Sequence, residues 1–465
     1  MKRQNPLCAK LVDYLKANGP TLSSELVEGF SISRATLSRR LDELGDGIVR
    51  IGRARARQLA IRHQATTSPL PIYAVDENGS LERFGELTAL HHGERVQWYF
   101  EPQSDESALL DGEFSDGLFP GWPWFLEDLR PSGFLGRAFA KRMAKLFQLK
   151  ASPDAWTDLE LLQTLVTFGS NLSGNFILGE GSALEEHQNH TLEIAEGYYR
   201  NTSPKTYPQL VQRALEHGEV FGSSAGGEQQ KFTTLVCDTP EAEPRAVIVK
   251  FSPTINTPGG RRWADLLYAE YIANQILQGA GIKVAQTRIF QLENRVFLES
   301  LRFDRTGPLG RRGVVSLRAL DAALIGMGEG SWADCARMLL KRNLISQAHC
   351  EEMVQIYCFG KLIANTDMHF GNLSFYLSDQ LPYHLAPVYD MLPMRFRPSP
   401  SGEIVDNKYK PSLPKPDDAL AWKKMLPYAT EFWETIIQHE AISSDFKAIA
   451  KDMLIVLHLL RSQEA

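Results

Sequence analysis

The chain has 465 residues, of which 43% are hydrophobic and 23% are charged. It is long enough for about two to four domains and too apolar to be disordered throughout. Its five cysteines form no CxxC pair, which argues against a zinc site or a disulfide framework and fits a reducing cytosol. Because we find no signal peptide and no apolar run long enough to span a bilayer, we expect a cytoplasmic protein without membrane contact.

Charge is unevenly distributed along the chain. The net charge is −6, yet residues 1–65 contain twelve Lys or Arg and six Asp or Glu, which leaves −12 for the remainder. A basic head on an acidic body predicts that the head binds a polyanion.

Three short helices are predicted in this basic segment. Asn5 followed by Pro6 is typical of a helix start, Pro20 and Thr21 begin a second helix, and Ser33 caps a third. In the third helix, leucines at helical spacing should face the core: Leu37, Leu41 and Leu44. This order of helices is that of a helix-turn-helix domain, whose last helix enters the major groove.

A basic hairpin is predicted to follow the third helix. Residues 47–62 alternate apolar and basic side chains around Gly52, as a two-stranded wing would. The residues that we expect to contact DNA are Arg34, Thr36, Ser38, Arg39, Arg40, Arg53 and Arg55. The alternative is a protein-interaction domain with a solvated charged face. Agreement between caps, periodicity and wing favours double-stranded DNA.

Beyond the head, residues 64–71 are polar and contain two prolines, so we expect a domain boundary there. A hairpin should follow, with its turn at residues 77–79. Residues 134–147 predict a basic amphipathic helix, to which we assign no chemistry.

A segment rich in glycine and serine is the first of four segments that together suggest phosphoryl transfer. Its backbone N–H groups could approach phosphate oxygens closely. The residues expected on the nucleotide are Ser223, Ser224, Ala225, Gly226 and Gly227. Taken alone, such a segment is more often a simple turn, and it matches neither a Walker A motif nor a Rossmann fingerprint.

The second segment is a buried-type strand, residues 246–249, which ends at Lys250. A lysine at this position would bind the α- and β-phosphates, and Glu270 in the following helical segment could pair with it. The alternative is that the lysine is exposed at the end of a strand and the glutamate is solvated on a helix, without a function for either. The order of strand lysine and then helix glutamate fits a kinase N-lobe.

The third and fourth segments carry the acidic groups. Asp367 is followed five positions later by Asn372, the spacing of a kinase catalytic loop, in which Asp engages the substrate hydroxyl and Asn binds Mg²⁺. His369 between them could act in catalysis or be structural. Asp390 follows a short strand and could be the second metal ligand. Four segments in this order predict a phosphotransferase.

These motifs resemble those of the HipA family of bacterial toxin kinases. The resemblance rests on residues 223–231, IVKFSP around Lys250, LRFDR at 301–305, NTDMHFGNLSF at 365–375 and PVYDMLP around Asp390. It extends more weakly into residues 72–180 and covers about 72–460 in all.

The resemblance implies ATP and Mg²⁺ as cofactors. The nucleotide contacts that it adds are Lys231, Glu299, Leu301 and Phe303. It also implies autophosphorylation at Ser223 or Ser224, and a protein substrate from translation such as an aminoacyl-tRNA synthetase. Two features depart from the family: Gly371 stands where many members have lysine, and this chain carries its own DNA-binding head, where the family commonly uses a separate antitoxin.

We therefore predict an α+β protein with a kinase-like bilobal core. The expected domains are a winged helix-turn-helix (1–65), a strand-rich subdomain (70–195), a kinase N-lobe (196–305) and a mostly helical C-lobe (306–465). The predicted function is that of a serine/threonine protein kinase of the HipA type. A DNA-binding regulator with an inactive kinase-like body, a small-molecule kinase and a non-catalytic scaffold are the alternatives, and the oligomeric state stays open.

Overall fold

The computed structural model describes residues 5–53, 56–104, 108–110, 112–195, 203–217, 229–239, 241–328, 330–399, 401–404 and 408–463. We name four consecutive parts: the head (5–62), the middle region (66–195), the sheet lobe (203–301) and the helical lobe (302–463). Among the described residues, no helix is both long and apolar enough to cross a bilayer.

The head combines three helices with a small antiparallel sheet of order β1-β3-β2. Its elements are α1 (Pro6–Asn18), β1 (Thr21–Leu22), α2 (Ser23–Gly29), α3 (Arg34–Leu44), β2 (Ile48–Ile51) and β3 (Gln58–Ile61). The side chains of Asn5 and Ser33 cap α1 and α3 as predicted, by accepting hydrogen bonds from backbone nitrogens at 2.9 and 3.1 Å. Of the three leucines predicted to face inward, Leu37 and Leu41 are buried and Leu44 packs against the same core.

The second helix starts later than predicted. It begins at Ser23, because Thr21 and Leu22 form a short strand that pairs with Leu59 and Gln58.

The middle region is a five-stranded antiparallel sheet of order β7-β6-β5-β4-β8, covered by helices. Its elements are β4 (Leu70–Val75), β5 (Leu81–His92), β6 (Arg95–Pro102), β7 (Leu118–Phe119), α4 (Gly133–Phe147), α5 (Asp158–Phe168), β8 (Phe176–Leu178) and α6 (Ser182–Ala195). The predicted hairpin is present, and Gly79 in its turn has a φ of +87°, which favours glycine. A 3₁₀ turn, Trp124–Leu129, follows β7.

The sheet lobe is a four-stranded antiparallel sheet, order β11-β12-β10-β9, with one long helix against it. Its elements are α7 (Tyr207–His217), β9 (Lys231–Val236), β10 (Arg245–Phe251), α8 (Pro258–Gly279), β11 (Thr287–Leu292) and β12 (Arg295–Leu301). Thr257 caps α8 with its side chain.

The largest buried core extends through the helical lobe and continues into the middle region and α8. The elements of the helical lobe are β13 (Arg305–Thr306), β14 (Gly310–Arg311), β15 (Val314–Ser316), α9 (Leu317–Leu320), α10 (Trp332–Lys341), α11 (Gln347–Leu362), β16 (Ser374–Tyr376), β17 (His384–Leu385), α12 (Ala419–Gln438) and α13 (Ser444–Gln463). Trp332, Trp422 and Trp433 are fully buried between these helices, which rigidifies the support beneath the loop that follows α11.

A buried charged cluster joins the helical lobe to the middle region. Arg302 and Arg305 flank Asp304, and both arginines donate to the backbone oxygen of Leu172, at 3.1 and 2.7 Å. The backbone nitrogen of Gly174 donates to Asp304 at 2.9 Å. Although burial disfavours a carboxylate, the two arginines hold the pKa of Asp304 well below its usual range. These hydrogen bonds and ion pairs therefore hold the helical lobe and the middle region together.

The head also shares a core with the middle region. Val49, Ile51 and Ala60 of the head pack with Leu90 and Leu118 in one buried cluster, which we call the shared core. The predicted linker lies against this junction, where Thr66 is buried and its hydroxyl accepts a hydrogen bond from the backbone nitrogen of Ala89. The linker is therefore anchored at Thr66, whereas Gln64, Ala65, Thr67 and Ser68 are exposed.

Candidate active site

Lys250 lies at the centre of a buried ion cluster. Antiparallel pairing places it directly opposite Lys231 of β9, and both lysines are buried. Its Nζ donates to Oε1 and Oε2 of Glu270, at 2.5 and 2.7 Å, and also to Oδ1 of Asp390. The structure thus brings together the predicted strand lysine, the helix glutamate and the downstream aspartate.

Burial and mutual attraction compete in this cluster. Burial opposes the charge of Lys250, but Asp390 and Glu270 hold its pKa above the ordinary value. Burial raises the pKa of Glu270, whereas the two lysines outweigh burial and lower that of Asp390. Burial lowers the pKa of Lys231, with Lys250 adding to the effect. Lys231 makes no side-chain hydrogen bond or ion pair with another residue that the structure describes.

The loop after α11 carries the predicted catalytic residues. Its geometry is held by side-chain amides: Asn365 Oδ1 accepts from the backbone nitrogen of Asp367 at 3.0 Å, and Asn372 Nδ2 donates to the Asp367 carbonyl at 2.9 Å. His369 Nδ1 accepts from the backbone nitrogen of Gly371 at 3.0 Å. This contact occupies one ring nitrogen of His369 within the loop itself.

The amide oxygen of Asn372 is a candidate metal ligand. Asn372 Oδ1 is buried and has no hydrogen-bond partner among the residues that the structure describes, an arrangement that costs free energy unless a cation or a donor occupies the space. Asp390 has a φ of +55° and its carbonyl accepts from Asn365 Nδ2 at 3.3 Å. Such backbone strain is typical of functional positions. These two residues fit a divalent cation, which prefers oxygen ligands.

A cleft is lined by both lysines and by residues from the start of the helical lobe. Its apolar walls include Ile248, Leu301, Phe303 and Tyr389, of which Leu301 and Phe303 were predicted nucleotide contacts. The rings of Phe303 and Tyr389 lie 5.6 Å apart between centroids. The Tyr389 hydroxyl donates to the backbone oxygen of Gly371 at 2.9 Å. A flat apolar space next to buried cations suits a nucleotide.

Asp367 and His369 line a separate, open depression of about 540 Å³. Its other walls include Tyr357, Lys361 and Tyr409. The loop after α11 therefore borders both spaces, and the charge of Asp367 still acts to raise the pKa of Lys231.

Glu299 is a correction to the sequence-based prediction. Its carboxylate does not line the cleft but accepts hydrogen bonds from Tyr207 at 2.6 Å, Arg245 at 3.2 Å and Arg288 at 2.7 Å. The next two residues of β12, Ser300 and Leu301, line the cleft. The side chain of Glu299 instead connects α7 to the sheet through its hydrogen bond with Tyr207.

Comparison with known proteins agrees with this geometry. The model of the YjjJ-like toxin middle domain matches residues 66–187, and that of the HipA-like C-terminal domain matches residues 223–453. Toxin YjjJ of Escherichia coli (strain K12) is 38% identical over 449 residues, which cover 96% of each chain. The chain belongs to the YjjJ-like toxins of the HipA family.

Two solved structures resemble this chain at lower sequence identity. HipA of the Shewanella oneidensis MR-1 toxin–antitoxin system, solved with HipB and operator DNA, is 15% identical, with a TM-score of 0.48 over 83% of this chain and 95% of HipA. The Helicobacter pylori proinflammatory kinase CtkA is 16% identical, with a TM-score of 0.36 over 53% of this chain and 94% of CtkA.

The predicted DNA-contacting residues of this HipA-family chain do not share one face. Arg34 and Ser38 line a groove together with Arg50 and Arg57 of the hairpin, and Arg39 is exposed on the outer face of α3. Two other predicted residues have partners within the head: the Thr36 hydroxyl contacts Ser33 at 2.9 Å, and the Arg40 guanidinium pairs with Glu43.

The remaining predicted residues fall partly outside the described chain. Arg53 is described and has an interaction of its own, whereas Arg55 and the segment from Ser223 to Gly227 lie outside the described residues. The sequence reasoning missed Asn365, Tyr389 and Asp128. Asn365 and Tyr389 are immediate neighbours of predicted positions. Asp128 has no such signal, because it reaches the cleft from the middle region.

Proposed function

We propose that this chain is an ATP- and Mg²⁺-dependent serine/threonine protein kinase whose head binds double-stranded DNA. The observation that carries the proposal is Lys250, buried between Glu270 and Asp390, with the unpaired amide oxygen of Asn372 on the neighbouring loop. A lysine–glutamate pair with Asp and Asn as metal ligands is the arrangement that protein kinases need for phosphoryl transfer.

Each residue has a distinct role in the proposed reaction. Lys250 and Lys231 bind phosphate oxygens, and Glu270 orients Lys250. Asn372 and Asp390 would hold Mg²⁺, which supplies charge neutralisation at the transferred phosphoryl group. The Asp367 carboxylate, whose charge reaches Lys231, accepts the proton of the attacking hydroxyl or orients it.

The open depression at Asp367 supports a protein substrate. Its walls of Tyr357, Lys361 and Tyr409 form a broad surface that admits a polypeptide segment, whereas a small-molecule kinase needs a more enclosed acceptor pocket. By family resemblance the substrate is a serine of a translation component, and the chain also phosphorylates Ser223 or Ser224 in its own glycine-rich segment.

The order of elements in the head supports DNA binding. Three helices followed by a hairpin, with exposed Arg34 and Arg39 on α3, is the arrangement of winged helix-turn-helix domains. An inactive kinase-like body on a DNA-binding regulator is the alternative, and it predicts no phosphoryl transfer.

The test uses full-length protein, radiolabelled ATP, Mg²⁺ and cell extract. We expect labelled protein bands with the wild type and with Asp452→Asn, an exposed control on α13. Asp367→Asn is near-isosteric and should retain the fold but lower transfer by at least about 100-fold. Transfer at the wild-type rate by Asp367→Asn would contradict the proposed role, and the absence of labelling by the wild type would favour the inactive regulator.

A further inference from the structure

Asp128 enters the nucleotide cleft from outside the two lobes. It lies in the 3₁₀ turn Trp124–Leu129 of the middle region. Its Oδ2 accepts a hydrogen bond from the backbone nitrogen of Ser316 at 2.5 Å, at the end of β15. Asp128 and Ser316 line the same cleft as Lys250 and Asp390. The middle region therefore completes the wall of a cavity that otherwise belongs to the two lobes.

The Asp128 carboxylate lies on the side of the cleft that carries the Tyr389 hydroxyl. The backbone nitrogen of Ser316 donates to Asp128, Ser316 pairs with Ser374 across β15 and β16, and the hydroxyl of Ser374 contacts that of Tyr389 at 2.8 Å. The next residue, Asp390, lies in the buried ion cluster. A ligand bound to the lysines and lying along Tyr389 would reach Asp128.

The environment of Asp128 suits a hydrogen-bond donor from a ligand. Burial raises the pKa of its carboxyl, while the hydrogen bonds from Ser316 and the charge of Arg318 oppose that rise. Arg318 is exposed, lines the cleft, and forms no ion pair among the described residues. Asp128 likewise has no ion pair in the described part of the chain. A partly desolvated carboxylate gains most from additional donors.

We propose that Asp128 binds the ribose hydroxyls of the nucleotide and makes the enzyme select ribonucleotides over 2′-deoxyribonucleotides. This inference rests on the nucleotide site proposed above. A carboxylate only accepts hydrogen bonds, and the two adjacent ribose hydroxyls are donors that a single carboxylate recognises, as in dinucleotide-binding folds. The middle region is then part of the nucleotide site as well as a support for it.

The experiment measures binding of ATP, 2′-deoxyATP and ITP to full-length protein by isothermal titration. Wild type should bind ATP about 10-fold more tightly than 2′-deoxyATP, the effect of one hydrogen bond to a charged acceptor. Asp128→Asn keeps an acceptor for Ser316 and replaces the other oxygen with a donor. It should weaken ATP binding more than 2′-deoxyATP binding, so that the preference for ATP falls from about 10-fold to near one. The matched control is Glu127→Gln, because Glu127 pairs with Arg130 and does not line the cleft.

The outcomes separate this inference from the proposed function. If wild type binds none of the three nucleotides, both proposals fail. If it binds ATP and 2′-deoxyATP equally, the kinase proposal stands and the ribose inference is overturned, whatever the variant does. An Asp128→Asn protein that keeps the preference for ATP over 2′-deoxyATP also overturns it. A loss of preference for ATP over ITP alone would assign Asp128 to the base and overturn the inference as well.

Discussion

The two facing lysines of the cleft should differ sharply when each is replaced by methionine. Lys250→Met leaves Glu270 and Asp390 buried without the cation that both contact, and breaking a buried pair in this way costs about 3–5 kcal/mol. Lys231→Met removes a lysine whose pKa is lowered by burial and which contacts no carboxylate in the described chain. Its charged form is already disfavoured by folding, so the free energy of unfolding should change by less than about 1 kcal/mol.

Both substitutions should weaken ATP binding, because each removes one phosphate-binding cation. The free energies of unfolding are measured by urea denaturation of full-length protein followed by tryptophan fluorescence, and ATP affinity is measured by titration of the same samples. Each variant is thus the control for the other. Equal destabilisation by the two substitutions, or an unchanged stability of Lys250→Met, would refute the reasoning from contacts within the cluster.

Two further predictions concern the head and the middle region. Arg39→Ala should weaken DNA binding and lower the slope of log affinity against log salt by about one, whereas Arg40→Ala should have a smaller effect because Arg40 pairs with Glu43. Fluorescence anisotropy at several salt concentrations measures both affinities. Equal losses for the two variants would contradict this prediction. Burial lowers the pKa of His187 to about 4, and Arg311 adds to this. The folded state therefore resists protonation of His187, so the free energy of unfolding should fall by roughly 3 kcal/mol as the pH is lowered from 6.5 to 4. His187→Gln keeps an acceptor for Arg311 and should flatten that part of the curve of unfolding free energy against pH; an unchanged curve would contradict the assignment.

Local patterns in the sequence were sufficient for the first and third helices of the head and for the acidic loop. The caps at Asn5 and Ser33 depend on residues within three positions of each other. The spacing of Asp367 and Asn372 is likewise local, and the loop uses both residues in one hydrogen bond. Such features require no knowledge of distant parts of the chain.

Features that depend on distant pairing could not be predicted in this way. Thr21 and Leu22 read as the beginning of a helix, but they pair with a strand more than thirty residues away. Glu299 was predicted as a nucleotide contact, yet its carboxylate accepts a hydrogen bond from Tyr207, 92 residues away in the sequence. Asp128 is 188 residues from its partner Ser316, and nothing near it in the sequence indicates that contact.

The shared core has a consequence for the order in which the chain folds during synthesis. A ribosome completes the N-terminal residues first, and the head contains helices with good caps that can form early. Yet Val49, Ile51 and Ala60 remain without their apolar neighbours until Leu90 and Leu118 have been made. The growing chain therefore displays an incomplete N-terminal unit for about sixty further residues. Truncations that end before Leu118 should expose this apolar surface and aggregate, whereas fragments that extend through the middle region can bury it.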